Sequence, residues 1–255
     1  MNLAISLHSE LSKIKRTAAF YLCLLVAAVV PTIFMINLLM DGPEAGKLHK
    51  DPWNIYLLKG FQISGMVFFP LFVILLCTLV MQVEFRNNTW KQVYSSPQPL
   101  WHITASKLLV LHILVLFFLF SFNVFLFIAL LIAGAFLPSM QLFTASPDWG
   151  QVLQLNIDSY LLVAGMLSIQ FWLSMRIRNF IAPLGIGFAL WFAGGLLALD
   201  MHWSFADRYP HGYPWMMVSK DYASMEIRIK VWSVVYAVVF FGIALLDLQR
   251  RKSKV

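Results

Sequence analysis

"LHILVLFFLFSFNVFLFIALLIA", residues 111 to 133, contains no Asp, Glu, Lys or Arg in 23 residues. A helix needs roughly 20 apolar residues to cross the hydrocarbon core of a bilayer, and this run supplies them. A β-barrel strand would instead alternate apolar and polar residues over about ten positions. Here phenylalanine, leucine and valine follow one another without alternation, which selects a helix. In such a segment every backbone N–H and C=O finds its partner internally.

The rest of the chain is built in the same way. Of its 255 residues, 60% are hydrophobic and only 12% charged, against about 25% charged in an ordinary soluble domain. Apolar runs of spanning length can be drawn at 18–40, 61–83, 108–132, 158–174, 181–199 and 231–247. None has Lys, Arg, Asp or Glu in its interior, and Asp158 and Asp247 fall at run ends, within reach of headgroups. The expected fold is all-α: a single transmembrane domain over 1–255 with six helices, no internal repeat and no soluble domain. Pro31, Pro70 and Pro183 sit inside runs, and glycine clusters in "GIGFALWFAGG", residues 185–195. Kinked and closely packed helices follow, because small residues allow backbones to approach.

Lys and Arg near span ends are retained on the cytoplasmic side. Segments 1–17, 84–107, 175–180 and 248–255 hold 12 Lys/Arg in 55 residues, whereas 41–60, 133–157 and 200–230 hold 7 in 76. The first set, with both termini, is therefore expected inside; Arg228 and Lys230, just ahead of the last run, dissent locally. The basic inner face fits topology and anionic membrane lipid, and gives no reason to invoke nucleic acid. Cys23 and Cys77 both lie within apolar runs and read as packing residues rather than a disulfide. The basic start followed by an apolar run resembles a secretory signal, but the run reaches about Met40 and reads as an uncleaved first span. Within 1–17, Leu3, Leu7, Leu11 and Ile14 recur at helical spacing and suit a short helix on the inner membrane surface, or a simple basic anchor.

Reactive constellations are absent from the sequence. "GPEAGKL", residues 42–48, lacks one residue and the Ser/Thr of a phosphate-cradling loop. His202, Asp207 and His211 match no metal-ligand spacing, so no metal, catalytic or cofactor site is assigned. His112, Ser121, Asn123 and Gln170 suit hydrogen bonds between helices. An ion-driven carrier would keep ionisable groups in mid-membrane, so work for transport would have to come from outside the membrane. The segment 200–230 is rich in Trp, Tyr and Met. An interfacial aromatic belt is the simpler reading; an outer gate at Trp203, Tyr213 and Trp215, with short re-entrant helices, is the alternative.

One segment is too elaborate for a connector. "EFRNNTWKQVYSSPQPLWHITASK", residues 84–107, places Trp90, Val93 and Tyr94 on one helical face, turns at "SSPQP", and resumes helically at Leu100. Most helix connections take only two to eight residues. A Ser cap followed by Pro97 at the first turn is good helix-start chemistry. An amphipathic surface loop without a partner is the simpler alternative.

Glu84 at the end of a span, Thr89-Trp90-Lys91, the Ser96-Pro97 turn and Lys107 opening the next span together resemble the cytoplasmic loop of the type-two permeases of ATP-binding-cassette (ABC) transporters. The basic segment "SELSKIKR" before the first span and the six-span layout are similar as well. The resemblance implies a coupling helix between spans two and three, with Thr89, Trp90, Lys91, Val93 and Tyr94 as its docking surface. It further implies that Glu84, Arg86 and Lys107 fix the loop, with Asn88 where the family often has glycine. A separate ATPase subunit would bind ATP, and a second permease, identical or related, would complete the path. Short permeases of this kind resemble bacterial cytoplasmic-membrane exporters of drugs, lipid-like molecules or antimicrobial peptides, including lantibiotics.

Overall fold

A computed structural model describes residues 3–15, 17–41, 52–87, 98–200, 205–217 and 222–252. Among the described residues there is no strand, and six helices are long and apolar enough to cross a membrane. Span one is Ala18–Met40, span two Pro52–Arg86, span three Leu100–Phe136, span four Trp149–Arg176, span five Ile181–Ala198 and span six Ser224–Arg251. Ahead of them lies the helix Leu3–Ile14.

The helices outrun the apolar runs. Span three has 37 residues, which at about 1.5 Å per residue gives a rod of roughly 55 Å, far longer than a hydrocarbon core of about 30 Å. The excess lies at the polar ends, where hydropathy falls but helix propensity does not. Span three begins at Leu100, behind Pro99 in extended conformation. Span four begins nine residues before Asp158 because Asp148 caps it, accepting from the backbone N–H of Gly150 at 2.9 Å and of Gln151 at 3.2 Å. Span two is broken near its middle by a π-helical turn, Ser64–Phe68, directly before Pro70. A proline ring cannot donate and crowds the preceding turn; the wider turn absorbs the mismatch.

The core is an aromatic ladder between spans two and three. Phe118 stacks on Phe69 and Phe72 with ring centroids 4.9 and 4.4 Å apart, and Phe122 meets Phe61 edge-on at 5.1 Å. All five rings are buried. In lipid, helices gain little from hiding apolar surface, so such close packing carries the association. Cys23 and Cys77 are buried and free, as packing residues should be.

Spans four and six form a second unit, closed at both ends by charge. Lys230 Nζ lies 2.5 Å from Asp158 Oδ1 and also pairs with Glu226, while Gln154 donates to Asp158 at 2.9 Å. At the far end Asp247 binds Arg176 at 2.7 Å and Arg251 at 2.8 Å. Between these clamps Gly165 touches Ser233: its N–H donates to Ser233 Oγ at 2.9 Å, and a Cβ at Gly165 would stand 2.9 Å from the Ser233 carbonyl oxygen. Asp158 therefore does not reach for headgroups; it is buried against a cation from another span. The same pairing explains the dissenting Lys230, and Arg228 lies 3.7 Å from Asp207. Both cations stand opposite acids instead of free at a span end.

Candidate functional site

The N-terminal helix turns Ser6, Glu10 and Ile14 inward, with Leu7 and Leu11 partly buried beside them. Spacing of four places these residues on one face. That face packs on the start of span three, where the Ser6 and Ser106 hydroxyls lie 3.0 Å apart. The helix expected on the membrane surface is thus docked against protein, and it carries an acid into the contact.

Four charges meet there. Lys107 Nζ lies 2.7 Å from Glu10 Oε2 and 2.7 Å from Glu84 Oε1, and Lys13 Nζ lies 2.7 Å from Glu10 Oε1 and 2.9 Å from Glu84 Oε1. Each lysine bridges both carboxylates, so two positive charges offset two negative ones in a closed ring. Side-chain exposure is 2% for Lys107 and 3% for Glu84, but 39% for Lys13. The ring joins three separate elements: the N-terminal helix, the end of span two and the first turns of span three. It stands at the base of the loop 84–107.

Burial opposes charge on Lys13, but hydrogen bonds and the charges of Glu10 and Glu84 outweigh it and hold its pKa above the usual lysine value. A raised lysine pKa stabilises the fold below the unfolded value of 10.5, and that contribution is lost only as pH rises through the folded value. Lys13 therefore keeps its charge throughout the neutral range.

Of the residues assigned to the loop, Glu84 and Lys107 are brought together. Arg86 is exposed on the last turn of span two and makes no ion pair among the described residues. Thr89, Trp90, Lys91, Val93, Tyr94 and Pro97 lie outside the described residues, as do Trp203, His202 and "GPEAGKL". Sequence reasoning missed Glu10. Its signal was present: an acid in register with Ser6 and Ile14, on a face that an anchoring helix would keep apolar or basic.

At the opposite end of the bundle, residues 205–217 fold back onto the spans. Two 3-10 turns, Ala206–Arg208 and Pro210–Gly212, lead into the short helix Tyr213–Met216. Tyr213 is fully buried and donates to the Asp207 carbonyl at 2.9 Å. Trp215 stacks on Trp191 with centroids 4.8 Å apart, and its indole N–H donates to the Trp191 carbonyl at 3.0 Å. Gly194 and Gly212 permit this approach, since a Cβ on Gly194 would stand 2.6 Å from Gly212 Cα. The aromatic-belt reading is corrected for these residues: their rings and polar atoms are satisfied inside the protein rather than at a lipid interface. Trp191 Nε1 in turn donates to the Met66 carbonyl at 3.2 Å, in the π turn of span two.

His211 lies within this packed segment, buried, and burial pushes its pKa down to about 4. Because the unfolded imidazole protonates near 6.5, the stability tied to its neutral form is complete above that value and declines as pH falls toward 4. A loss of about 3 kcal/mol is expected across that window. His211→Phe should flatten the pH dependence of thermal unfolding in detergent between these limits; an unchanged profile would place the titration elsewhere.

The family model described as ABC-2 family transporter protein matches residues 6–194. The chain belongs to the ABC-2 transporter family. The match runs from the inward face of the N-terminal helix to the Gly194 contact in span five, and so contains all four charges of the ring. No curated protein and no solved structure matches the chain. As an ABC-2 permease the protein is the membrane subunit of a transporter, and the ring lies where its loop leaves the spans.

Proposed function

We propose that this permease exports its substrate across a bacterial cytoplasmic membrane with energy from a separate ATPase subunit, which docks on the loop 84–107 and binds the ATP. The end of the bundle with both termini is the cytoplasmic side in this reading, which its excess of Lys and Arg supports. Thr89, Trp90, Lys91, Val93 and Tyr94 form the docking surface. A second permease, either another copy or a related chain, completes the path.

The observation that carries this reading is the buried ring of Glu10, Lys13, Glu84 and Lys107. A loop that only connected two helices would need no such joint. A loop that receives a push does, because movement of the loop must reach spans two and three together rather than bend one of them. Span two then runs from the ring to its π turn, where the Met66 carbonyl holds Trp191 and, through it, Trp215. These contacts support a route from the ring at the base of the loop to the outer segment, in which Trp203, Tyr213 and Trp215 would form the gate.

The resemblance favours a drug, a lipid-like molecule or an antimicrobial peptide such as a lantibiotic as substrate. Inside-out vesicles containing the permease and its ATPase should accumulate such a compound on addition of ATP. Accumulation that persists without ATP but collapses with the proton gradient would overturn the reading.

A further inference from the structure

Between spans three and four lies an open groove of about 580 Å³, facing outward from the bundle. That volume is within the roughly 300–1,000 Å³ typical of small-molecule sites. Its walls are apolar, with Phe120, Leu153 and Trp149 each more than 60% exposed. Its floor is not apolar, because Asn123 and Asn156 face each other across it.

Asn123 Nδ2 donates to the Leu119 carbonyl at 2.6 Å and to Asn156 Oδ1 at 2.8 Å; Asn156 Nδ2 donates to the Val152 carbonyl at 2.8 Å and to Asn123 Oδ1 at 3.3 Å. An amide has two donor hydrogens and a carbonyl with two lone pairs. All four donor hydrogens are thus used, and each side-chain carbonyl accepts only one bond. The Tyr160 hydroxyl, on the same wall, is engaged with His112 Nδ1 at 2.9 Å. Hydrogen-bonding capacity left in the groove is therefore acceptor capacity.

Asn156 lies seven residues along span four from Trp149, about 10 Å below it at the helical rise. An exposed Trp at a helix start marks the membrane boundary. Asn123, the partner of Asn156, lies nine residues inside the end of the apolar run 108–132, which puts the amide pair at the depth of lipid chains, where phospholipid hydrocarbon has no donor to offer. Polar groups at that depth usually face the bundle interior.

We infer that the groove between spans three and four binds a membrane-dissolved amphiphile with an apolar body and a hydroxyl group, which donates to the Asn123 and Asn156 carbonyls. The walls select for apolar bulk and the floor selects for the donor. The site stands apart from the coupling reading, because occupancy requires neither ATP nor a partner ATPase.

The test uses a diazirine-bearing fifteen-carbon isoprenoid alcohol and its methyl ether, photolysed with the purified protein in lipid nanodiscs, with labelled peptides located by mass spectrometry. The alcohol should label spans three and four around the groove at least tenfold more than the ether. Asn123→Leu with Asn156→Leu should bring alcohol labelling down to the ether level and leave ether labelling unchanged. If that pair of substitutions prevents folding, Leu153→Trp, at a lipid-facing position, should fill the groove and reduce labelling by both probes. Equal labelling by alcohol and ether in the unaltered protein would overturn the inference. So would labelling concentrated on other spans, or a groove closed to both probes because a second copy covers it.

Discussion

Lys107→Ala is expected to destabilise the protein by about 3–5 kcal/mol, the usual cost of breaking a buried ion pair by removing one of its members. Lys107 is the inner member of the ring, bonded to both Glu10 and Glu84 and 2% exposed. After its loss, the half-exposed Lys13 would be the one ring lysine still facing Glu10 and Glu84. Thermal unfolding and yield in detergent read this effect directly. Lys13→Ala is expected to cost less, on the order of 1 kcal/mol, because Lys13 is 39% exposed and water can take its place.

Stability alone does not establish coupling, and a paired substitution separates the two. Glu84→Gln with Lys107→Met removes one charge of each sign and leaves Glu10 with Lys13. Replacing a buried pair by neutral groups is often close to neutral in stability. The double variant should therefore recover most of the unfolding temperature lost in Lys107→Ala. Transport per ATP hydrolysed should nevertheless stay at least tenfold below that of the unaltered protein, because the ionic joint between spans two and three is gone. Full recovery of both would reduce the ring to a staple.

The second large effect is expected at the dock. Trp90→Ala with Tyr94→Ala removes two aromatic anchors from the proposed docking surface, each worth on the order of 2 kcal/mol in an interface. ATPase binding should weaken by roughly a thousandfold, while insertion and the unfolding temperature change little. Titration of the purified ATPase onto immobilised permease measures it. Unaltered binding would move the dock away from this loop.

The six spans were legible because unbroken apolar runs have few alternative folds. Their ends were not: "WGQVLQLNI" before Asp158 is mixed in polarity, and only the Asp148 cap starts span four at Trp149. Glu84 and Lys107 could be named from the loop pattern, but Glu10 is 97 residues from its partner Lys107, and charge at a span end looks the same whether it anchors topology or closes a joint. The outer aromatics were ambiguous for a related reason. Trp and Tyr suit an interface and a packed contact equally, and what decides for packing is the pair of glycines, Gly194 and Gly212, which meet only in three dimensions. The absence of charge inside the spans held for the apolar runs; the longer helices enclose Asp158 and Lys230 as a matched pair.

Crosslinking from the loop bears most directly on the claim that energy enters there. Cys23 and Cys77 are both buried, so a thiol introduced by Lys91→Cys is well placed to react selectively. In native membranes, a short bifunctional reagent should join this position to a polypeptide identified by mass spectrometry as an ABC ATPase, and nucleotide should change the yield. Failure to capture an ATPase from position 91, while the protein remains inserted and the thiol remains reactive, would contradict the account.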